Sequence, residues 1–355
     1  MAPNQKELAK LAGVSAGTVS NVISGSAKVS ERSRQKVLEA IRILNYRPNL
    51  IARSLKTNRT YTLGIVIPDI TIPFFPKIVR GAEAAARERG YFLIVLDSEG
   101  SPEREEDMLA LLRAQRVEGI LLVTAQASEA GDTENPQDIA GSPIVCVDRV
   151  PVNLDVDSVC VDDAGASEMA TAHLIENGHR RIAIITGPLS LQNEHERLRG
   201  YKRALSRAGI PLDESLIWNA AFGQELVAGL CQRGFRQSPE RPTALLATNG
   251  VTGMAALRSL YTMGLRTPRD FAFVTFDQVN AEALFKPGIS TVVQPTYDMG
   301  HRAVEVLLRR IEAGEQSPPP ITRVQLPAEL VVRESSATRL KDAPARSETK
   351  KRAKE

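Results

Sequence analysis

Short apolar runs recur along this chain, each followed by a stretch long enough for one helix. LGIVI (63–67), FLIVL (92–96), GILLVT (119–124), RIAIIT (181–186), TALLAT (243–248) and FAFVTF (271–276) are of strand length. Between them, segments such as KIVRGAEAAARERG and EREEDMLALLRAQR place apolar residues at helical spacing. Strand-helix alternation of this kind predicts parallel sheets with helices on both faces, because each parallel pairing needs a crossover. The roughly 275 residues involved exceed what one sheet core accommodates, so two lobes are expected.

The first 60 residues read differently. They carry eleven Lys and Arg against three acids, Glu7, Glu31 and Glu39, whereas residues 61–340 carry 28 against 36. A basic head on an acidic body suggests a module that binds a polyanion. Asn4 is placed to cap a helix with Leu8, Leu11 and Ala12 inward, and Gly13 ends it. Ser15 caps a second helix with Val19, Val22 and Ile23 inward, which puts Ala16, Gly17, Ser20, Asn21 and Ser24 on the opposite side. Ser30 caps a third, with Val37, Ile41 and Leu44 inward, and Asn45-Tyr46-Arg47-Pro48 stops it. Three short helices with a glycine turn between the first two match the helix-turn-helix pattern.

In that motif the second helix enters the major groove of double-stranded DNA. Ser15, Ala16, Gly17, Thr18, Ser20 and Asn21 are therefore the candidate contacts. Small side chains allow close backbone approach, and an Asn amide pairs with adenine N6 and N7. The next segment, Asn49 to Lys56, has a helical pattern but is too short to be stable alone. It is expected to fold against DNA and a partner copy, with Asn49, Ala52 and Arg53 at the DNA and Leu55 wedged into a minor-groove step.

Other classes fit poorly. No run approaches the length of a membrane span, and MAPNQKELAK has no apolar signal core, so a cytoplasmic protein without a membrane partner is expected. Cys146, Cys160 and Cys231 lie in apolar patterns and read as buried, reduced thiols. His173, His179, His195 and His301 form no pairing motif, so no metal and no cofactor are expected. The tail 335–355 is nearly devoid of apolar residues and reads as disordered, with no heptad for tetramerisation.

The run from LAGVSAGTVSNVISG through VSERSRQKVLEAIRILNYRPNLIARSLK into TLGIVIPD resembles the DNA-binding head and hinge helix of the lactose-repressor (LacI/GalR) family. The resemblance extends to about residue 334. It implies a helix-turn-helix head (1–48), a hinge helix and linker (49–60), and an α/β, two-lobed, periplasmic-binding-protein-like effector domain with parallel sheets (61–334). The N-lobe would span about 62–161 plus 292–320 and the C-lobe about 162–291. It also implies a homodimeric repressor that reads a near-palindromic operator under control of a small molecule.

Ligands of open parallel sheets bind beyond the carboxyl ends of the strands. Pro68-Asp69, Asp97, Asp148, Gly187-Pro188, Asn249, Asp277 and Gln294 stand there, with Phe74 and Phe75 held between Pro73 and Pro76. Carboxylates, amides and aromatic faces suit a sugar, a sugar acid or a polyol. The resemblance makes Phe75 the stacking aromatic, Asp148 a hydroxyl acceptor, and Arg197 the ligand-binding arginine with Asn193 nearby. It also assigns Phe222, Asn249 and Asp277 to the second lobe's side of the cleft. Two departures matter: Gly250 stands where relatives commonly carry an acid, and Leu191 where purine-binding relatives use an arginine. An exported solute-binding protein would share the body but is expected to have a signal and no head. An enzyme is disfavoured because the body has no GxSxG elbow, P-loop or HExxH site.

Overall fold

A computed structural model describes residues 4–23, 29–46, 59–125, 140–151, 155–220, 223–238, 240–277, 286–314 and 319–337. Ser24, the hinge candidates Asn49, Ala52, Arg53 and Leu55, Phe222, and the tail from 338 lie outside these residues. The chain divides into two units, 1–61 and 62–355.

The first unit contains α1 (Gln5–Ala12), α2 (Ala16–Ile23) and α3 (Glu31–Ile43). Asn4 accepts the Lys6 and Glu7 amides while the Glu7 carboxylate accepts the Asn4 amide, a complete capping box. Gly13, at φ 62°, turns the chain out of α1 through the left-handed region. The Ser15 and Ser30 hydroxyls accept the Thr18 and Ser33 amides, at 3.1 and 3.3 Å. Leu8, Val19 and Val37 are fully buried at the centre, joined by Ala9, Ala12, Val22, Ala40 and Tyr46. Leu11 corrects the expected inward face, being 48% exposed. The buried stripe of α1 is rotated toward Ala9, whose small side chain admits the neighbouring helices, and this turns Leu11 outward.

The second unit holds two six-stranded sheets. The N-lobe sheet comprises β1 (Thr62–Ile67), β2 (Phe92–Asp97), β3 (Gly119–Leu122), β4 (Ile144–Val147), β5 (Asp157–Val161) and β11 (Arg323–Leu326), in the order β11-β5-β4-β3-β1-β2. All its pairings are parallel; Ile65, for example, lies between Val95 and Leu121. The C-lobe sheet comprises β6 (Ile182–Thr186), β7 (Ile217–Asn219), β8 (Ala244–Ala247), β9 (Ala272–Phe276), β10 (Ser290–Val293) and β12 (Glu329–Val331), in the order β12-β10-β9-β8-β6-β7. Only β12 runs antiparallel to its neighbour. The two sheets repeat one order, so β4 and β9 are equivalent strands.

Helices α4 (Phe74–Glu88), α5 (Pro102–Ala114) and α10 (Thr296–Ala313) belong to the N-lobe. Helices α6 (Asp163–Glu176), α7 (Gln192–Arg207), α8 (Gln224–Gln232) and α9 (Gly250–Thr262) belong to the C-lobe. Two pairs pack closely, α4 on α10 and α7 on α6. Glycine makes this possible: a Cβ on Gly81 would lie 1.9 Å from the Tyr297 carbonyl oxygen, and one on Gly200 2.1 Å from that of Ala164.

The chain crosses between lobes after β5, after β10, and between β11 and β12. The expected return to the N-lobe at 292 is corrected, because Thr291 and Val292 pair with Thr275 and Phe276 and so belong to the C-lobe sheet. The N-lobe in turn extends to Leu326, where β11 pairs with β5. The tail begins later than 335. A last turn, α11 (Glu334–Ala337), buries Ser335 and Ser336. The Ser335 hydroxyl donates to the Phe273 carbonyl (2.6 Å) and accepts the Ser290 amide (2.8 Å), so polar residues that looked like solvated tail are satisfied inside the lobe. Cys146 and Cys231 are buried, Cys160 is half-buried, and all three are free thiols. Among the described residues no helix is long and apolar enough to cross a membrane, and no cluster of His, Cys, Asp and Glu could hold a metal.

Candidate functional site

Two surfaces carry the functional candidates. On α2, burial of Val19 and Val22 leaves Ala16, Gly17 and Asn21 exposed and Thr18 and Ser20 half-buried. Ser15 is exposed at the helix start, its hydroxyl 2.9 Å from that of Thr18. Lys6, Lys10, Arg32, Lys36 and Arg42 on the same unit are exposed. The result is a narrow helix face without bulky side chains on a cationic unit.

The second surface is a cavity of about 440 Å³ between the two sheets of the body. It is lined by residues that follow the strand ends: Pro68 and Asp69 after β1, Asp148 and Arg149 after β4, Pro188 after β6, Asn249 after β8, Asp277 after β9 and Gln294 after β10. Phe74 and Phe75 come from the first turn of α4, Asn193, Glu194 and Arg197 from the first two turns of α7, and Leu191 is the residue before α7. Asp97 is not in this lining. Its carboxylate instead accepts the Ile70 and Glu99 amides and shapes the loops beside the cavity.

Asp148 and Asp277 occupy equivalent places and share an uncommon conformation, with φ of 66° and 64°. Both leave a strand through the left-handed region, which Asp tolerates better than most residues. The Asp148 carboxylate accepts the Asn193 side-chain amide at 3.3 Å, a hydrogen bond from one lobe to the other. The Asp277 carboxylate accepts the Gln294 amide at 2.7 Å and the Gly250 N–H at 3.3 Å. A Cβ on Gly250 would lie 3.3 Å from that of Asp277, so an acid at this position would crowd a second carboxylate against the first. Burial raises both the Asp148 and the Asp277 carboxyls above the ordinary range, against the pull of Arg197 on each.

Arg197 is 2% exposed. Its Nε donates to Asp163 (2.7 Å), Nη1 to the Thr248 carbonyl (2.7 Å) and Nη2 to Gln294 (3.4 Å), while its guanidinium lies 4.4 Å from the Phe276 ring centre. Burial opposes its charge, but Asp163, Glu194, Asp277 and Asp148 together hold its pKa above the ordinary value. Burial pushes Asp163 up to about 7 despite Arg197. Arg149, beside Asp148 at 3.6 Å, donates Nη1 to the Thr124 carbonyl (3.4 Å) and sits 5.7 Å from the Phe75 ring centre. Phe75 is 2% exposed and meets Phe74 edge to face. Glu105 of α5, fully buried, accepts the Thr124 hydroxyl at 2.9 Å and the Ala125 amide, and burial pushes its carboxyl up to about 7.

Asn249 reaches the cavity as the cap of α9. Its side-chain oxygen accepts from Thr252, and its amide donates to Glu194 at 2.8 Å. Glu194 also accepts the Gly187 amide (3.0 Å) and the Thr248 hydroxyl. The structure therefore brings Phe74, Phe75, Asp148, Asn193, Arg197, Asn249 and Asp277 to one cavity. Sequence reasoning missed Arg149, Glu194 and Asp163. Arg149 left a trace, a charge directly behind a strand-ending Asp, whereas Glu194 in QNEHER reads as one more solvated helical acid.

Comparison with known proteins gives two family matches: "Bacterial regulatory proteins, lacI family" over residues 5–49 and "Periplasmic binding protein-like domain" over 171–336. The ribose operon repressor of Escherichia coli (strain K12) is 36% identical over 307 residues, which is 86% of this chain and 92% of that protein. The HTH-type transcriptional repressor PurR of Aliivibrio fischeri (strain MJ11) is 34% identical over 340 residues, 95% of this chain and 99% of that one. The solved complex of the transcriptional regulator CelR with cellobiose is 34% identical, covers 94% of this chain and 99% of its own, and superposes with a TM-score of 0.69. A cationic three-helix unit joined to a twin-sheet body, at this identity and coverage, places the chain in the LacI family of bacterial regulatory proteins, as a DNA-binding transcription regulator and not an enzyme.

Proposed function

We propose that this regulator is a cytoplasmic repressor that binds a near-palindromic operator as a homodimer, with its operator affinity set by a small polyhydroxyl effector in the interlobe cavity. One observation carries the effector reading. Equivalent carboxylates of the two lobes, Asp148 and Asp277, line a single cavity with Arg197 and a buried aromatic, Phe75. Vicinal hydroxyls donate to carboxylates and accept from guanidinium N–H groups, while a ring offers a surface to C–H bonds. Two relatives carry sugars in their names, ribose and cellobiose, which supports the same class. Leu191, buried in the lining, offers no donor to a nucleobase.

The coupling follows from geometry. The Asn193 to Asp148 hydrogen bond spans the cleft, so a ligand hydroxyl that takes Asp148 changes what holds the lobes at their present angle. An effector with different affinities for two lobe angles shifts the population between them, and the operator feels the same coupling in reverse. On the DNA side, Ser15, Ala16, Gly17, Thr18, Ser20 and Asn21 read base edges, and the hinge residues Asn49, Ala52, Arg53 and Leu55 dock when the operator is bound. The test is selection of bound duplexes from a random pool, followed by fluorescence anisotropy with ribose, cellobiose, other sugars and polyols added. A symmetric duplex is expected to emerge, with an affinity that one of the sugars changes at least about tenfold. Absence of any duplex preference would sink the operator reading, and a selected duplex indifferent to every sugar would sink the effector reading.

A further inference from the structure

We infer that the cavity is selective for uncharged sugars and polyols and rejects the aldonic acids, uronic acids and phosphate esters of the same skeletons. This deepens the polyhydroxyl reading above and rests on it. The lining holds the carboxylates of Asp69, Glu99, Asp148, Glu194 and Asp277, of which Asp148 and Glu194 are buried and Asp277 half-buried, and Asp163 sits directly behind Arg197. Against them, among the described residues, stand two guanidiniums and no lysine. The local balance is acidic before any ligand arrives.

Both arginines are already committed to oxygens of the protein. Planar recognition of a carboxylate or phosphate needs two parallel N–H donors on one edge of the fork. Arg197 has given Nε to Asp163, one N–H of Nη1 to the Thr248 carbonyl and one of Nη2 to Gln294, which closes its Nε edge to an incoming carboxylate. Arg149 is paired in charge with Asp148, its Nε 3.6 Å from that carboxylate without a hydrogen bond, and its Nη1 donates to the Thr124 carbonyl. Helix starts, the other usual source of positive potential, are also engaged. In the first turn of α7 the anionic position is occupied by Glu194, whose own amide is taken by the Asn193 side chain at 2.9 Å. The first turn of α4 contains Pro76, which has no N–H.

A hydroxyl suits this lining, because it donates to Asp148 or Asp277 and accepts from Arg197. An ionised ligand would instead face two desolvated carboxylates, where screening by salt is weak. The experiment is isothermal titration calorimetry of the full-length protein with matched sets: D-ribose, D-ribonate and D-ribose 5-phosphate; cellobiose and cellobionate; D-glucose, D-gluconate and D-glucuronate. Within any set that binds, the neutral compound is expected to bind at least about tenfold tighter than its anions. The pair of substitutions Asp148→Asn and Asp277→Asn, which keeps side-chain size and tolerance of the left-handed backbone, is expected to narrow that gap. An anion that binds as tightly as its neutral parent, or a gap unchanged in the doubly substituted protein, overturns the inference and leaves the sugar reading standing. Failure of every compound to bind overturns the sugar reading and this one with it.

Discussion

Arg197→Met removes a guanidinium while keeping an unbranched side chain, and the structure fixes what should follow. Arg197 is the hydrogen-bond partner of a carboxyl group, Asp163, that is itself only 6% exposed, and it also serves the Thr248 carbonyl. Breaking a buried ion pair from one side strands the other charge and costs about 3–5 kcal/mol. In a unit of this size each kcal/mol moves Tm by roughly 2–4 °C, so a fall of about 6–20 °C is expected at pH 7.5. Adding Asp163→Asn to the same protein should restore at least half of the loss, because the cost of stranding or protonating that carboxylate is then gone. The deficit should also shrink on acidification. Asp163 already has a raised folded-state pKa of about 7, and loss of Arg197 raises it further. The folded state therefore holds a proton that the unfolded chain releases, and stability falls as pH rises through that folded value. Thermal unfolding monitored by circular dichroism at pH 5.5 and 7.5 measures each of these. A Tm within 2 °C of the parent, or no recovery on adding Asp163→Asn, would refute the reasoning. The same substitution should abolish the response of operator binding to effector.

Gly200→Ala gains some helix propensity but puts a methyl group 2.1 Å from the Ala164 carbonyl oxygen; the net effect should be destabilisation of about 1–3 kcal/mol, and a raised Tm would show that α6 and α7 can part freely. Glu105→Gln should flatten part of the pH dependence of stability. The parent's carboxyl, near 7 when folded and near 4.5 when exposed, makes stability fall by up to about 3 kcal/mol as pH rises between those values; identical Tm-against-pH curves for variant and parent would contradict this. Operator affinity should drop by roughly a thousandfold or more between about 50 and 200 mM salt, measured by anisotropy, if the basic head neutralises six or more phosphates. Leu55→Ala should weaken operator binding and leave sugar binding unchanged by calorimetry; equal operator affinity would remove the wedge.

Much of this architecture was legible because its signals are local. The apolar runs became strands, and Asn4, Ser15 and Ser30 became helix caps, since each depends on residues within a few positions. Asp148 and Asp277 were legible as strand-ending acids in a fold whose ligands gather at strand ends. The partners of Arg197 were not legible. Asp163 lies 34 residues away and Gln294 97 away, and no periodicity in either segment announces the meeting. Glu194 was hidden by its setting in a polar helix, and Ser335 by looking like tail until its bonds to Phe273 and Ser290 are seen. The lobe boundary slipped by about two residues because β10 ends only where its pairing with β9 ends.

The late strand β11 has an implication for how the molecule is made. Val161 and Leu326 are neighbours in the N-lobe sheet, yet the whole C-lobe apart from its last strand and turn is synthesised between them. Helix α10, which covers one face of that sheet, is also encoded after the C-lobe strands. A ribosome therefore delivers five strands of the N-lobe long before the pieces that finish it, and the C-lobe can reach most of its own contacts first. The half emerging earlier should be the one completed later, leaving β5 as an unprotected sheet edge during translation and a natural place for a chaperone to stand guard.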